Sequence, residues 1–163
     1  MIIKEKVNLL KKTEMYKEFI EHNPDYELSH VFAIEESDKF NDFQIGFYSK
    51  KDKKVVSFDL LNHKASEPQD PFNKGEDIPS LNINSITQDI STVITKAKEI
   101  MKEKYSAHRA EKYICILQII NSVTMWNITI VTSTLHVINL KLNAITGDLI
   151  SDSAQAIMSF TKK

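Results

Sequence analysis

The stretch that most constrains the fold is residues 113–120, which read Tyr113-Ile114-Cys115-Ile116-Leu117-Gln118-Ile119-Ile120. A strand that is covered on one face alternates apolar and polar side chains, whereas this one is apolar on both faces except at Gln118. We therefore expect both faces to be covered. That condition is met at a central position in a sheet, at a contact between two parts of the chain, or at a dimer surface.

Two further strands follow this stretch. Residues 126–130 and 138–142 carry apolar side chains at alternate positions, which predicts an antiparallel hairpin. Residues 143–147 end the second strand in a turn, where Gly147 supplies a positive φ that other residues resist. The pattern of residues 152–160 allows a short final helix.

A helix is predicted before the stretch, over residues 85–105. Ser85 and Gln88 have the spacing of a capping box, in which each side chain satisfies a backbone N–H of the other residue. Apolar residues follow at helical spacing, namely Ile86, Ile90, Val93, Ile94, Ala97, Met101 and Tyr105.

The first half of the chain has the same order of elements. Residues 4–21 predict a helix that ends at the Asn23-Pro24-Asp25 turn, and residues 26–34 predict a strand. In that strand Leu28, Phe32 and Ile34 share one face, with His30 in the same register. Residues 43–48 and 56–60 predict a hairpin around the charged turn of Lys50, Lys51, Asp52, Lys53 and Lys54.

The predicted fold class is therefore α+β, with two repeats of a helix followed by a three-stranded antiparallel sheet. We assign residues 1–66 to the first unit, residues 67–84 to a proline-containing linker and residues 85–163 to the second unit. The alternative is two unrelated α+β halves. Each sheet is expected to pack on its helix and to join the other unit through an edge or an outer face. The inward positions are expected to be Ile45, Phe47, Phe58, Ile128, Ile130 and Leu140.

Composition excludes several classes of function. The net charge is −1, with 21 basic and 22 acidic residues, so a clustered positive field for nucleic acid is not expected. No run approaches the roughly 18 apolar residues of a membrane span. The N-terminus reaches alternating charges at once and lacks the apolar segment of a signal peptide. The sequence as it stands predicts a cytoplasmic location, or an extracytoplasmic one if a leader had been removed.

No catalytic, cofactor-binding or metal-binding residues are predicted. The three glycines are scattered, and the five histidines lack the spacing of a zinc site. Cys115 lies in an apolar run and is expected to be a buried, inert thiol. His30 is expected to be a hydrogen-bonded core histidine rather than a metal ligand, residues 35–38 a solvated acidic loop, and Trp126 a core residue.

Residues 126–130 and 140–149 carry a family resemblance. A tryptophan-led strand, a hairpin and the turn Asn143-Ala144-Ile145-Thr146-Gly147-Asp148-Leu149 resemble a PepSY-type module. Residues 62–67 occupy the matching turn of the first half without its glycine, so the first half looks like a degenerate copy. The resemblance implies a curved antiparallel sheet around a helix, no catalytic residues, and propeptide-like or inhibitory contact with peptidases.

These observations favour a non-enzymatic protein-interaction module that presents sheet edges or an outer sheet face to a partner. A homodimer through residues 113–120 is one form of such contact. The competing hypothesis is a cystatin-like or NTF2-like domain, either enzymatic or ligand-binding, with a pocket between helix and sheet. That hypothesis requires polar residues at the inward positions, which are instead apolar.

Overall fold

The computed structural model describes residues 1–71 and 75–157. It contains three α-helices, namely α1 (Ile2–Lys11), α2 (Glu14–His22) and α3 (Ile90–Lys104). The strands are β1 (Tyr26–Glu36), β2 (Lys39–Ser49), β3 (Lys54–Asp59), β4 (Lys64–Ala65), β5 (Ala110–Ile120), β6 (Val123–Thr132), β7 (His136–Asn143) and β8 (Leu149–Ala156). A 3-10 turn spans Ile83–Ser85.

The strands form one antiparallel sheet of eight strands in the order β4-β3-β2-β1-β5-β6-β7-β8. An α+β fold with an antiparallel sheet is thus confirmed, but the prediction of two helix-plus-three-strand repeats is wrong. Strands β1 and β5 pair from Val31 opposite Leu117 to Glu35 opposite Tyr113, which merges the predicted sheets. Alternation along a strand identifies its buried face but does not identify which strand edges will pair.

The two outermost strands, β4 and β8, were not predicted from the sequence. Strand β4 has only two residues, and the only large apolar residues of β8 are Leu149 and Ile150, which are adjacent, so neither strand shows large apolar residues at alternate positions. The predicted final helix over 152–160 is wrong for residues 152–156, which belong to β8, while residues 158–160 lie outside the described ranges. The proposed division of the chain at residues 67–84 stays a prediction.

All three helices pack on one face of the sheet, which we call the helix face. The six predicted inward side chains are buried there, together with Trp126, which is 0% exposed. Aromatic rings on α2 contact those of the sheet, with Tyr16 5.4 Å from Phe47 and Phe19 5.3 Å from Phe58. The core expected from the sequence is therefore present, and it is continuous beneath the helices.

The helix boundaries differ from the predictions for identifiable reasons. The predicted helix over residues 4–21 is two helices, because the Thr13 side chain accepts a hydrogen bond from the Tyr16 backbone N–H and starts α2 afresh. The predicted capping box is also wrong. The Ser85 hydroxyl donates to the Asn82 carbonyl, and α3 begins only after Asp89.

Strand β1 contains a bulge at Ser29, between Leu28 opposite Phe47 and His30 opposite Gly46. The extra residue reverses the alternation, so Leu28 faces the helices while His30, Phe32 and Ile34 face away from them. The expectation that Leu28 shares a face with Phe32 and Ile34 is therefore wrong. The bulge could not be predicted from the sequence, because the residues on each side of it still fit an alternating strand pattern.

Candidate interaction surface

The face of the sheet opposite the helices is the candidate functional surface, and we call it the open face. No helix or strand of the described residues covers it. Register and alternation assign to it the apolar or aromatic side chains of Phe32, Ile34, Tyr48, Val55, Ile114, Ile116, Met125, Val131 and Val137, and the polar side chains of His30, Asp42, Gln44, Ser57, Asp59, Gln118, Asn127, Thr129, Asn139, Lys141, Ser151 and Ser153.

The centre of the open face is apolar. Phe32 is paired with Ile116 and Ile34 with Ile114 across the β1–β5 junction, so these four side chains form a compact block. All four are partly exposed. The same strands place Val31, Ala33, Cys115 and Leu117 under the helices, where each is fully buried. The two central strands are thus apolar on both faces, but only one face is covered by helices.

Polar side chains flank this apolar block on both sides, and the paired Val131 and Val137 add an apolar contact farther along β6 and β7. On the side of β6 and β7, the Asn139 amide donates to Asn127 Oδ1 at 2.6 Å and to Thr129 Oγ1 at 3.3 Å. On the other side, the Gln44 amide donates to Asp42 Oδ1 at 3.1 Å. These hydrogen bonds hold the flanking side chains in defined positions. An apolar centre with an ordered polar rim is the usual anatomy of a protein contact surface.

His30 borders the apolar block and is packed against the sheet. Its ring lies over Gly46, where a β-carbon would come within 1.9 Å of the ring. The Ser29 hydroxyl is 3.1 Å from Nδ1, and burial lowers the pKa of His30. The ring is neutral and hydrogen-bonded, as expected, but it lies on the open face and not in the core, so the prediction of a core histidine is wrong. Gly46 is required for the close approach of the ring.

The connection after β4 covers one corner of the open face. Gln69 forms an antiparallel bridge to Val55, and the Tyr48 hydroxyl donates to Asp77 Oδ1 at 3.0 Å. Lys53 also forms an ion pair with Asp77. The hydrogen bonds from Lys53 and Tyr48 lower the pKa of Asp77. The connection is therefore attached beside β3, and the central apolar block lies away from it.

The acidic segment at residues 35–38 is only partly the solvated loop predicted. Glu35 is 6% exposed and faces the helices at the end of β1, whereas Ser37 and Asp38 form the turn with positive φ. Lys98 of α3 forms an ion pair with Asp38 at 3.0 Å and lies 5.7 Å from the centre of the Tyr113 ring. These contacts fasten α3 to the end of the central strands.

Cys115 is buried on the helix face, as predicted. Burial, with a smaller contribution from the nearby Glu35 carboxylate, raises the pKa of its thiol to about 12. A thiol with this pKa is almost entirely protonated at neutral pH and is a poor nucleophile.

A pair of histidines lies outside the open face. The His108 and His136 ring centres are 4.4 Å apart, and the Nδ1 atoms contact Thr134 Oγ1 at 2.8 and 3.2 Å. The Nδ1 of His136 is also 2.9 Å from the Thr134 carbonyl oxygen. Within residues 1–71 and 75–157 no group of three or more metal-ligating side chains occurs. We interpret the pair as a hydrogen-bonded link between the α3–β5 connection, which carries His108, and the β6–β7 turn.

Two shallow surface depressions lie away from the apolar block. One, of 290 Å³, adjoins the covered corner and is lined by Pro24, Asp25, Glu27, Tyr48, Lys50, Lys51, Ile78 and Ser80. The other, of 390 Å³, lies on the solvent side of α3 and is lined by Ser91, Thr92, Thr95, Lys96 and Glu99. Neither lies between the helices and the sheet, where the competing hypothesis places a ligand.

The sequence contained part of the signal for this surface. The apolar pattern of residues 113–120 indicated that both faces of the strand would be covered. Strand β5 is central in the sheet, but within the described residues helices cover only one of its faces. Phe32 and Ile34 were missed as members of the open face because the bulge at Ser29 reversed their direction. None of the sequence-based reasoning located a binding residue.

Comparison with known proteins identifies a fold but no family. No protein-family model and no curated protein matches the chain. Among solved structures, the chain is similar to a protein of Clostridium difficile 630 that is provisionally described as a lipoprotein. The TM-score is 0.52 at 16% identity, over 85% of this chain and 89% of that one. In the part of the chain that the structure describes, no helix is long and apolar enough to cross a membrane. The likeness shows a shared fold, and the PepSY resemblance stays a prediction.

Proposed function

We propose that this protein is a non-enzymatic interaction module that binds a protein partner through the open face. The observation that supports this proposal is the central apolar block of Phe32, Ile34, Ile114 and Ile116 on a sheet face that no described helix covers. Antiparallel sheets with one solvated face normally place polar residues on that face. An apolar patch with a polar rim is typical of an interaction site.

The sheet beneath the patch favours binding with little structural change. Both central strands are hydrogen-bonded on each side, and their helix faces pack in the core. A contact surface on such strands loses little conformational freedom when a partner covers it, so less of the interaction free energy is spent on ordering. The rim hydrogen bonds of Asn139 with Asn127 and Thr129 have the same effect.

A peptidase is the partner class that the PepSY resemblance suggests. Where the bound protein is a peptidase, the chain regulates or inhibits it by contact and contributes no catalytic group. The inert Cys115 thiol is compatible with that role. The cytoplasmic location stays a prediction.

The competing pocket hypothesis receives less support. The space between helices and sheet is occupied by buried side chains such as Phe47, Phe58, Trp126 and Ile128, each 2% exposed or less. A ligand site there would require polar groups converging on a cavity. We therefore favour the open face as the working surface.

The test compares capture by three immobilised proteins, namely the wild type, Ile116→Glu and Leu9→Glu. Ile116 is at the centre of the open face, whereas Leu9 is 60% exposed on α1 and receives the same charge as a control. We expect proteins, including free copies of this chain, to be retained by the wild type and by Leu9→Glu but not by Ile116→Glu. Each retained protein is then purified and titrated calorimetrically, and a peptidase is assayed for inhibition. Equal retention by all three proteins, or saturable retention of a metabolite unaffected by Ile116→Glu, contradicts the proposal.

A further inference from the structure

We infer that the partner of the open face is a second copy of this chain, bound face to face about a two-fold axis. The axis runs parallel to the strands and passes between β1 and β5. This inference rests on the proposed function, because it requires the open face to be the contact surface. It adds the identity of the partner and the arrangement of the two copies.

The first argument is the order of side chains across the sheet. One row of the open face runs, through successive strand pairings, Asp59, Gln44, Phe32, Ile116, Asn127 and Lys141. The junction of β1 and β5 is the midpoint of this row. Rotation about the proposed axis reverses the row in the second copy, and each side chain then meets the one at the same distance on the other side of the midpoint.

The reversed row is complementary to the original one. Phe32 lies over Ile116 of the other copy, Gln44 lies over Asn127, and Asp59 lies over Lys141. Apolar groups thus meet apolar groups, the two amides can exchange hydrogen bonds, and opposite charges meet at the rim. The neighbouring row of Asp42, Ile34, Ile114 and Thr129 behaves similarly, because Ile34 meets Ile114 and Asp42 meets a hydroxyl.

The charges also select this axis over the other face-to-face arrangement. If the axis lay along the row, at right angles to the strands, each residue would meet its own counterpart. Asp59 would then face Asp59, and Lys141 would face Lys141. Like charges in contact disfavour that arrangement, so the row pattern indicates the axis parallel to the strands.

The available area is sufficient for a stable dimer. The six strands that lie symmetrically about this axis, β3, β2, β1, β5, β6 and β7, are together about 29 Å wide at the usual width of about 4.8 Å per strand, and about seven residues of common length give about 23 Å. This corresponds to roughly 650 Å² per copy, within the range of about 600–1,000 Å² that each partner contributes to a standard interface. Two sheets packed in this way form a sandwich, with helices on its two outer sides.

The test is sedimentation velocity over about 1–200 μM protein, a range around typical dissociation constants of such interfaces. We expect the wild type and Leu9→Glu to dimerise alike. Ile116→Glu should raise the dimer dissociation constant at least about 100-fold, because it places an unpaired carboxylate at the centre of the interface. Circular dichroism checks that the variants fold. A wild type that is monomeric throughout this range overturns the inference, whether or not the variants fold.

A charge reversal tests the axis. Lys141→Glu places a carboxylate opposite Asp59 twice in each dimer, and we expect the dissociation constant to rise about tenfold. Adding Asp59→Asn should remove most of this effect, because the uncharged asparagine does not repel the new carboxylate. The asparagine oxygen can still accept the hydrogen bonds that the Leu61 and Asn62 backbone N–H groups donate to Asp59. Lys102→Glu, on the exposed side of α3, controls for net charge. Equal effects of Lys141→Glu and Lys102→Glu overturn the proposed axis.

The outcomes separate this inference from the proposed function. A monomeric wild type that loses a captured protein on Ile116→Glu refutes the second copy as partner and leaves the interaction surface in place. A dimer that is unaffected by Ile116→Glu, together with unchanged capture, refutes both.

Discussion

The two faces of the central strands have similar side chains but different surroundings. On β5, Cys115 and Leu117 face the helices and are fully buried, while their neighbours Ile114 and Ile116 face outward and stay partly exposed. The apolar content of a strand is therefore a poor guide to how much its side chains stabilise the isolated chain. Helix-face residues contribute to folding, whereas open-face residues have apolar surface still available for binding.

Matched isoleucines test this contrast most strongly. Ile128→Ala removes methyl groups from a side chain that is 0% exposed, so we expect a loss of about 3 kcal/mol in the free energy of unfolding. Ile116→Ala on the open face should cost about 1 kcal/mol or less in dilute, monomeric protein, because little of a cavity forms at a partly solvated site. Urea unfolding followed by circular dichroism measures both variants. Equal losses would mean that the open face is as tightly packed as the helix face.

The contact between His30 and Gly46 tests how closely the open face is packed at its border. Gly46→Ala places a methyl group where the His30 ring lies, and we expect a loss of about 2 kcal/mol. In a His30→Ala background the same change should cost much less, because the obstructing ring is gone. A double-mutant cycle in urea gives the coupling energy. Additive losses would show that the ring moves aside freely.

Asp89 tests how the helices are joined on the covered face. Its carboxylate accepts hydrogen bonds from the Ile2 and Ile3 backbone N–H groups at 2.7 and 3.2 Å, at the N-terminus of α1. Asp89→Ala should cost about 1–2 kcal/mol, since these donors lose an acceptor placed at the positive end of the helix. Asp89→Asn should recover part of the loss, because one oxygen acceptor remains. Thermal unfolding of both variants measures the effect. An unfolding temperature of Asp89→Ala equal to that of the wild type would show that this contact does not stabilise the protein.

The smallest effect is a pH dependence from His30. Burial lowers its pKa in the folded protein, so folding favours the neutral ring. Stability from this residue is therefore present above the unfolded pKa of about 6.5 and is lost as the pH falls below it toward the folded pKa. Between pH 7.5 and pH 5 the wild type should lose more stability than His30→Gln. If the free energy of unfolding changed equally with pH in both proteins, the His30 ring would be exposed to solvent and not buried.

Much of the covered face was predictable from the sequence, because burial produces a regular pattern there. The hairpin of β2 and β3, the inward side chains and the Gly147 turn follow from alternation and turn chemistry, and Gly147 indeed has φ of +81°. The pairing of β1 with β5 was not predictable, since backbone edges carry no sequence code. The start of α3 was also missed, because Asp89 caps α1 and leaves α3 without a side-chain cap.

The open face was only half predictable. Residues 113–120 indicated an unusual strand, but its role depended on its partner strand, and the partner's outward residues were hidden by a bulge. The polar rim is made of Asn, Gln and Thr residues whose hydrogen bonds join different strands, such as Asn139 with Asn127. Such side chains look like ordinary strand surface until the register is known.

The single extra residue at the Ser29 bulge determines which side chains of β1 lie on the open face. Without that residue, the strand beyond it would be displaced by one position, and Phe32 and Ile34 would exchange faces with Val31 and Ala33. The helices would then have to accommodate larger side chains, and the outer centre would hold smaller ones. A one-codon insertion or deletion is therefore enough, in this architecture, to exchange the β1 half of the apolar block during evolution, while Ile114 and Ile116 on β5 stay in place.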